Sequence, residues 1–134
     1  MKIKRELEPF KVIEGNSYNN EILGRDIHVW YIDGPDCFIC SMGSYDRHYK
    51  FSFDTKEEAG LVVNMMNNIY LFGFMSVRED TNKFLEQGRM QRTTFDECGY
   101  EQSELSKKYE RPFKLAFNEG ARVSGNFIHN LLRR

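Results

Sequence analysis

The sequence predicts an α+β fold: an antiparallel meander of three to four strands packed on a long central helix, with C-terminal helices covering that helix's other side. Three observations lead there. Between residues 26 and 53, β-favouring runs are separated by Gly, Pro, Asp and Ser turn signals, as in hairpin-linked strands. From Ala59 to Val77 no charged residue interrupts a stretch of helical spacing. Residues 113–134 divide into an apolar and a polar side at about 100° per residue, the mark of an amphipathic helix.

Taken in order, residues 1–9 alternate charge without a period and read as a lead-in ending at Pro9. Phe10–Glu14 (FKVIE) is a first, edge strand, and GNSYNNEILG, bounded by Gly15 and Gly24, is a polar loop. Asp26–Ile32 (DIHVWYI) favours a strand, with Ile27, Val29 and Tyr31 on one face and His28, Trp30 and Ile32 on the other. Asp33-Gly34-Pro35-Asp36 is a turn signal, so Cys37–Met42 is expected to pair back. A second turn at Gly43–Asp46 leads to a third strand with Tyr49, Phe51 and Phe53 on one face.

Thr55, with Glu58 three residues on, has capping-box spacing and opens the central helix, where Glu57 and Glu58 suit the positive end of the dipole. Leu61, Val62, Val63, Met65, Met66, Ile69, Tyr70 and Phe72 form a broad apolar arc that needs cover from more than one side. Gly60, Asn64, Asn67 and Asn68 form the remaining stripe. A membrane span of this length is disfavoured by the amides, Gly73 and the missing basic anchors. Arg78–Gln87 reads as a separate polar helix closed by Gly88, residues 89–100 as a loop or a short turn of helix, and Glu101–Glu110 as a helix stopped before Pro112. The final helix is expected to be about 33 Å long. Its covered side is Phe113, Ala116, Phe117, Ala121, Val123, Phe127, Ile128, Leu131 and Leu132. Gly120 and Gly125 weaken it, and Gly120 is a natural break point.

At 134 residues the chain forms one domain able to bury a core without metal or disulfide staples. Residues 1–77 supply the meander and central helix, and 78–134 a mainly helical extension. The net charge of −1 conceals segregation. Residues 107–134 carry seven Lys or Arg against Glu110 and Glu119, a balance of +5, which leaves −6 for the remainder. That asymmetry suits an acidic or polyanionic partner. No apolar signal region follows MKIKRELEPF, no N-x-S/T site occurs, and the three cysteines are an odd number. A cytoplasmic location with reduced thiols is therefore expected.

Signals of catalysis are sparse. Cys37-x-x-Cys40 has the spacing of zinc and dithiol sites, yet on a strand the two side chains point to opposite faces, and Cys98 is the one other cysteine. Buried thiols without metal are the expectation. His28, His48 and His129 each lie near a carboxylate or hydroxyl in sequence, but nothing gathers them, and the nucleophile-elbow, zincin and dinucleotide motifs do not occur. Gly120-Ala121-Arg122-Val123-Ser124-Gly125 imitates a phosphate loop but continues Asn126-Phe127 where Lys and Ser or Thr are needed. No enzyme activity and no cofactor are predicted.

Three strands feeding Phe53-Asp54-Thr55-Lys56-Glu57-Glu58-Ala59 resemble the AP2 and phage-integrase arm-binding class of small DNA-binding domains over residues 26–72. That resemblance implies a sheet face in the major groove, carried here by Trp30, Arg47 and Lys50; the interleaving of aromatic and basic groups in SYDRHYK separately adds Tyr49 to the residues of a nucleic-acid-binding alternative. Residues 25–72 set four basic groups against seven carboxylates, however, whereas phosphate neutralisation demands a basic face. The first expectation is accordingly a non-catalytic binding protein that occupies a surface of a macromolecular partner, a protein or a nucleoprotein complex. In style the chain resembles phage or mobile-element accessory proteins, including inhibitors of host defence. Its partner-binding residues are expected to be Arg122, Asn126, His129 and Arg133, spaced on one helical face, assisted by Arg134. Nucleic-acid binding through the sheet is the alternative.

Overall fold

The computed structural model describes residues 8–14, 18–20, 24–27, 30–35, 52–53, 55–100 and 103–132. Its class is α+β, with a long helix and C-terminal helices. The chain divides into two compact units, Pro9–Met65 and a unit containing Met66–Arg134. The division falls inside the long helix.

In the first unit the described strands are β1 (Lys11–Glu14), β2 (Tyr18–Asn20), β3 (Arg25–Ile27), β4 (Trp30–Asp33) and β5 (Ser52–Phe53). β1, β4 and β5 form one antiparallel sheet in that order, with β1 at its edge among the described residues. Val12 stands opposite Ile32, and Trp30 opposite Phe53. Two expectations are corrected. DIHVWYI is not one strand: Arg25–Ile27 pairs with β2 in a separate ladder, while Trp30–Asp33 joins the sheet. The polar loop before it contains β2, whose two asparagines disfavour a strand and which pairs with β3. Gly24, at φ +65°, supplies the left-handed residue before β3.

The meander order is also revised, because β4 pairs directly with β5. Cys37–Met42, the turn at Gly43–Asp46 and Tyr49–Phe51 lie outside the described residues. Phe10, Ile32 and Phe53 are buried in this unit together with Ala59, Val62 and Val63 of the following helix.

Helix α1 runs unbroken over Lys56–Gln87. Thr55 caps it, its hydroxyl accepting from the Glu58 amide at 3.2 Å. The separate helix expected from Arg78 does not exist, because a change from apolar to charged residues alters which face can be buried without adding a breaker. The stop is Gly88, at φ +68°, whose amide donates to the Phe84 carbonyl at 2.8 Å. Leu61 and Phe72, assigned to the covered arc, are exposed, as are Leu71 and Met75. Asn64 and Asn68 face solvent and Asn67 is half-buried.

In the second unit the chain returns along α1. Thr93 reaches Asp80 through its backbone amide at 2.8 Å and its hydroxyl at 2.9 Å. A turn of 3-10 helix at Phe95–Glu97 buries Phe95, and a run of ring contacts links Phe72, Tyr100, Phe95 and Phe117, with centroids 5.6 to 6.0 Å apart. Helix α2 (Glu104–Lys108) is opened by a capping box between Ser103 and Ser106.

Helix α3 (Glu110–Leu132) follows directly. Pro112 was expected to separate two helices, but it lies in the first turn of α3, where its missing N–H removes no helical bond. Nor does Gly120 break α3. Gly73 meets Phe117 and Gly120 meets Tyr70 with backbone against backbone, so the two glycines let the helix axes approach. Further along, Thr81 and Gly125 line one groove, and therefore α1 and α3 run in the same direction. The sixteen-residue return from Gly88 to Ser103 is what a parallel pair requires, since a short loop would make the helices antiparallel.

Candidate partner-binding surface

Because α1 and α3 are parallel, their C-terminal turns lie at one end of the second unit, and so do the apolar side chains they leave in water. Phe84 and Leu85 of α1, Met90 of the return segment, and Phe127 and Leu131 of α3 are all exposed, from 44% at Phe84 to 86% at Met90. Such a concentration at one end departs from the scattered single apolar residues normal on a surface. Two grooves flank the helix pair there. One, of about 480 Å³, has Val77, Thr81 and Phe84 of α1 on one side and Ala121 and Gly125 of α3 on the other, with Met90, Arg92 and Arg122 at its margins. The other is lined by Phe74, Arg78 and Asn82 with Phe127, Ile128 and Leu131.

The electrostatics of the first groove are fixed by two pairings. Asp80 has both carboxylate oxygens accepting from Thr93. Glu119 is buried, and the Arg122 guanidinium holds it through Nε to Oε2 at 3.2 Å and through Nη2 to Oε1. Part of the Arg122 charge therefore has a structural duty. Ser124, fully buried on the same helix, has a hydroxyl with no hydrogen-bond partner among the described residues. Lys114 pairs with Glu110 at 2.9 Å and lies 3.7 Å from Asp96, and the hydrogen bond to Glu110, followed by attraction to Asp96, raises its pKa above the ordinary lysine value.

Of the residues singled out from the sequence, Arg122, Asn126 and His129 are exposed on α3, and Arg122 borders the groove. Arg133 and Arg134 lie outside the described residues, as do Arg47, Tyr49 and Lys50. Trp30 is half-buried, with the Lys56 ammonium over its ring at 5.7 Å. Phe127 and Leu131, expected to be covered, are instead exposed. Phe84, Leu85 and Met90 sit among charges in KFLEQGRMQR, which hides them from a reading by apolar runs. The available signal was that spacing: three large apolar residues within seven positions, bounded by polar sequence, on a segment with no covering element assigned.

Cys37 and Cys40, His28 and His48 lie outside the described residues, while Cys98 is a free, half-buried thiol. No protein-family model, no curated protein and no solved structure matches the chain.

Proposed function

We propose that the chain is a non-catalytic binding protein that acts by occupying a surface of a macromolecular partner, and that the contact is made at the shared C-terminal end of α1 and α3. One observation carries this reading: Phe84, Leu85, Met90, Phe127 and Leu131 stay in water at one end of a unit that has buried Phe95, Phe113 and Phe117 elsewhere. Full burial of such a side chain is worth roughly 1.5–3 kcal/mol, and a partner can recover the share that these partly exposed side chains still leave in water. Arg122, Asn126 and His129 extend the surface along α3 as its polar margin. An accessory protein of a phage or mobile element, such as an inhibitor of a host defence system, is the setting proposed for a small binder of this kind.

The test is capture from lysate of the native host with tagged wild-type chain and with Phe84→Asp/Met90→Asp, each repeated after nuclease treatment and at raised salt. A stoichiometric protein held by wild type through both treatments and lost with the double variant is the expected result. Recovery that depends on nucleic acid would displace this reading in favour of the sheet-face alternative.

A further inference from the structure

We propose that two copies of the chain associate through the outer face of α1 as an antiparallel helix pair whose two-fold axis passes at the level of Gly73. α1 buries Ala59, Val62, Met66, Ile69 and Gly73 along one side. The opposite side of this unbroken helix recurs at alternating steps of three and four residues. Its first half is Leu61, Asn64, Asn68 and Leu71, its second half is Met75, Arg78, Asn82 and Leu85, and all of these are exposed. That is the a/d spacing of a coiled-coil seam, about 36 Å long by the rise per residue. A face meant only for water would carry Lys and Glu at most of these positions. This one carries amides and large apolar groups, with Arg78 its one charge, and the apolar members are 38% to 70% exposed.

The order of the side chains selects a second copy as the occupant. Positions equidistant from Gly73 match in kind: Leu71 with Met75, Asn68 with Arg78, Asn64 with Asn82, and Leu61 with Leu85. Antiparallel pairing about Gly73 brings these residues together, apolar on apolar and polar on polar at every layer. An isologous contact needs such self-complementarity, because each copy presents the same patch to the other. A partner of unrelated sequence gives no reason for it.

Charge fixes the direction. Parallel pairing in register would set Arg78 against Arg78, whereas antiparallel pairing sets it against Asn68, whose side-chain oxygen can accept its hydrogen bonds. The amide layers cost stability and specify register. At the centre, Leu71, Phe72 and Met75 line a recess of about 370 Å³ together with Cys98, into which apolar groups of the other copy can seat. A strip one helix wide and polar at half its layers is a small interface, so the dimer is expected to dissociate in the micromolar range. Leu85 thereby passes from the partner-binding end to the seam, and Phe84, Met90, Phe127 and Leu131 still carry that end.

The test is sedimentation equilibrium of the full chain from about 1 μM to 1 mM, with circular dichroism as the check on folding. The mass is expected to rise from one chain to two and no further. Leu71→Asp, which alters only an exposed side chain, should weaken association about tenfold or more with helicity unchanged. A double-variant cycle reads the register: Asn68→Glu should favour the dimer at least about threefold more with Arg78 present than in an Arg78→Asn background. A parallel pair holds those two positions apart and gives no such coupling. A monomer throughout, an assembly larger than two chains, indifference to Leu71→Asp, or absence of coupling between positions 68 and 78 would each overturn the proposal. Host-protein capture lost with Phe84→Asp/Met90→Asp bears on the partner surface alone, since neither residue lies in the seam.

Discussion

Gly73 and Gly120 are where single atoms decide the packing of the second unit. A Cβ on Gly73 would lie 2.1 Å from the Phe117 carbonyl oxygen, and one on Gly120 would lie 2.0 Å from that of Tyr70. Both obstacles are backbone, so neither can swing aside. Alanine at either position is expected to cost about 1–3 kcal/mol or more, read as a lower denaturant midpoint. Gly60, also in α1, has nothing within 4 Å of its virtual Cβ, and there alanine should stabilise by up to about 1 kcal/mol. If Gly73→Ala and Gly60→Ala moved the midpoint alike, the close crossing would be wrong. From the sequence Gly120 looked like a weak point in a helix; its actual role depends on Tyr70, fifty positions away, and no local pattern encodes that pairing.

The same scale redefines Arg122. Glu119 is buried under it, so Arg122→Ala leaves a carboxylate short of its partner at an expected cost of about 1–3 kcal/mol, and adding Glu119→Gln should restore part of the loss. Measured loss in the single variant with no recovery in the double would place the contribution of Arg122 elsewhere. Charge reversal at Arg122 would accordingly mix stability with binding, and substitutions at Asn126 and His129 probe the polar margin more cleanly. Lys114 carries the opposite pH signature to a paired acid. Its raised pKa means that its contribution is complete below the unfolded lysine pKa and disappears as pH rises through the higher folded value. Lys114→Met should remove that alkaline dependence, and any effect should shrink with salt because the pair is exposed.

At the scale of elements, the return segment is held by few but specific contacts. Asp80 accepts two bonds from Thr93, and Phe95 is buried beside Phe117. Asp80→Ala should leave α1 helical while residues 88–100 exchange their amides faster, a local opening that hydrogen exchange resolves from global unfolding. Uniform acceleration across α1 and α3 would mean instead that the segment is an inseparable part of their packing. The start of α1 was legible because capping is local: Thr55, with Glu58 three residues on, marks it. The continuity of α1 was not, since charged residues after Val77 resemble a new element although Gly88 alone stops the helix. Nor was the start of α3, where Pro112 reads as a breaker until its place in the first turn is known. The strands were legible where propensity was strong, at FKVIE, and misread at Tyr18–Asn20, where pairing with Arg25–Ile27 overrides propensity.

At the scale of the molecule, one helix passes through two units, and its composition sets a choice between water and lipid. α1 is long and apolar enough to cross a membrane by length and composition, with 33% of its most apolar window buried in the fold. Insertion would strip Met66, Ile69, Tyr70 and Gly73 from the second unit and undo the contacts with Phe117 and Gly120. The partner helix that would have to follow carries Arg111, Lys114, Glu119 and Arg122, each worth about 2.5–3.5 kcal/mol against insertion if placed at mid-membrane. Asn64 and Asn68, which face solvent, would add unsatisfied amides. These costs argue for packing on α3 as the fate of the apolar stretch. Ultracentrifugation of a detergent-free lysate should leave the chain in the supernatant with its helical circular dichroism intact. Recovery in the membrane pellet, released by detergent and not by high salt, would mean that α1 exchanges α3 for lipid, and the groove at their shared end would then exist only in the membrane-free state.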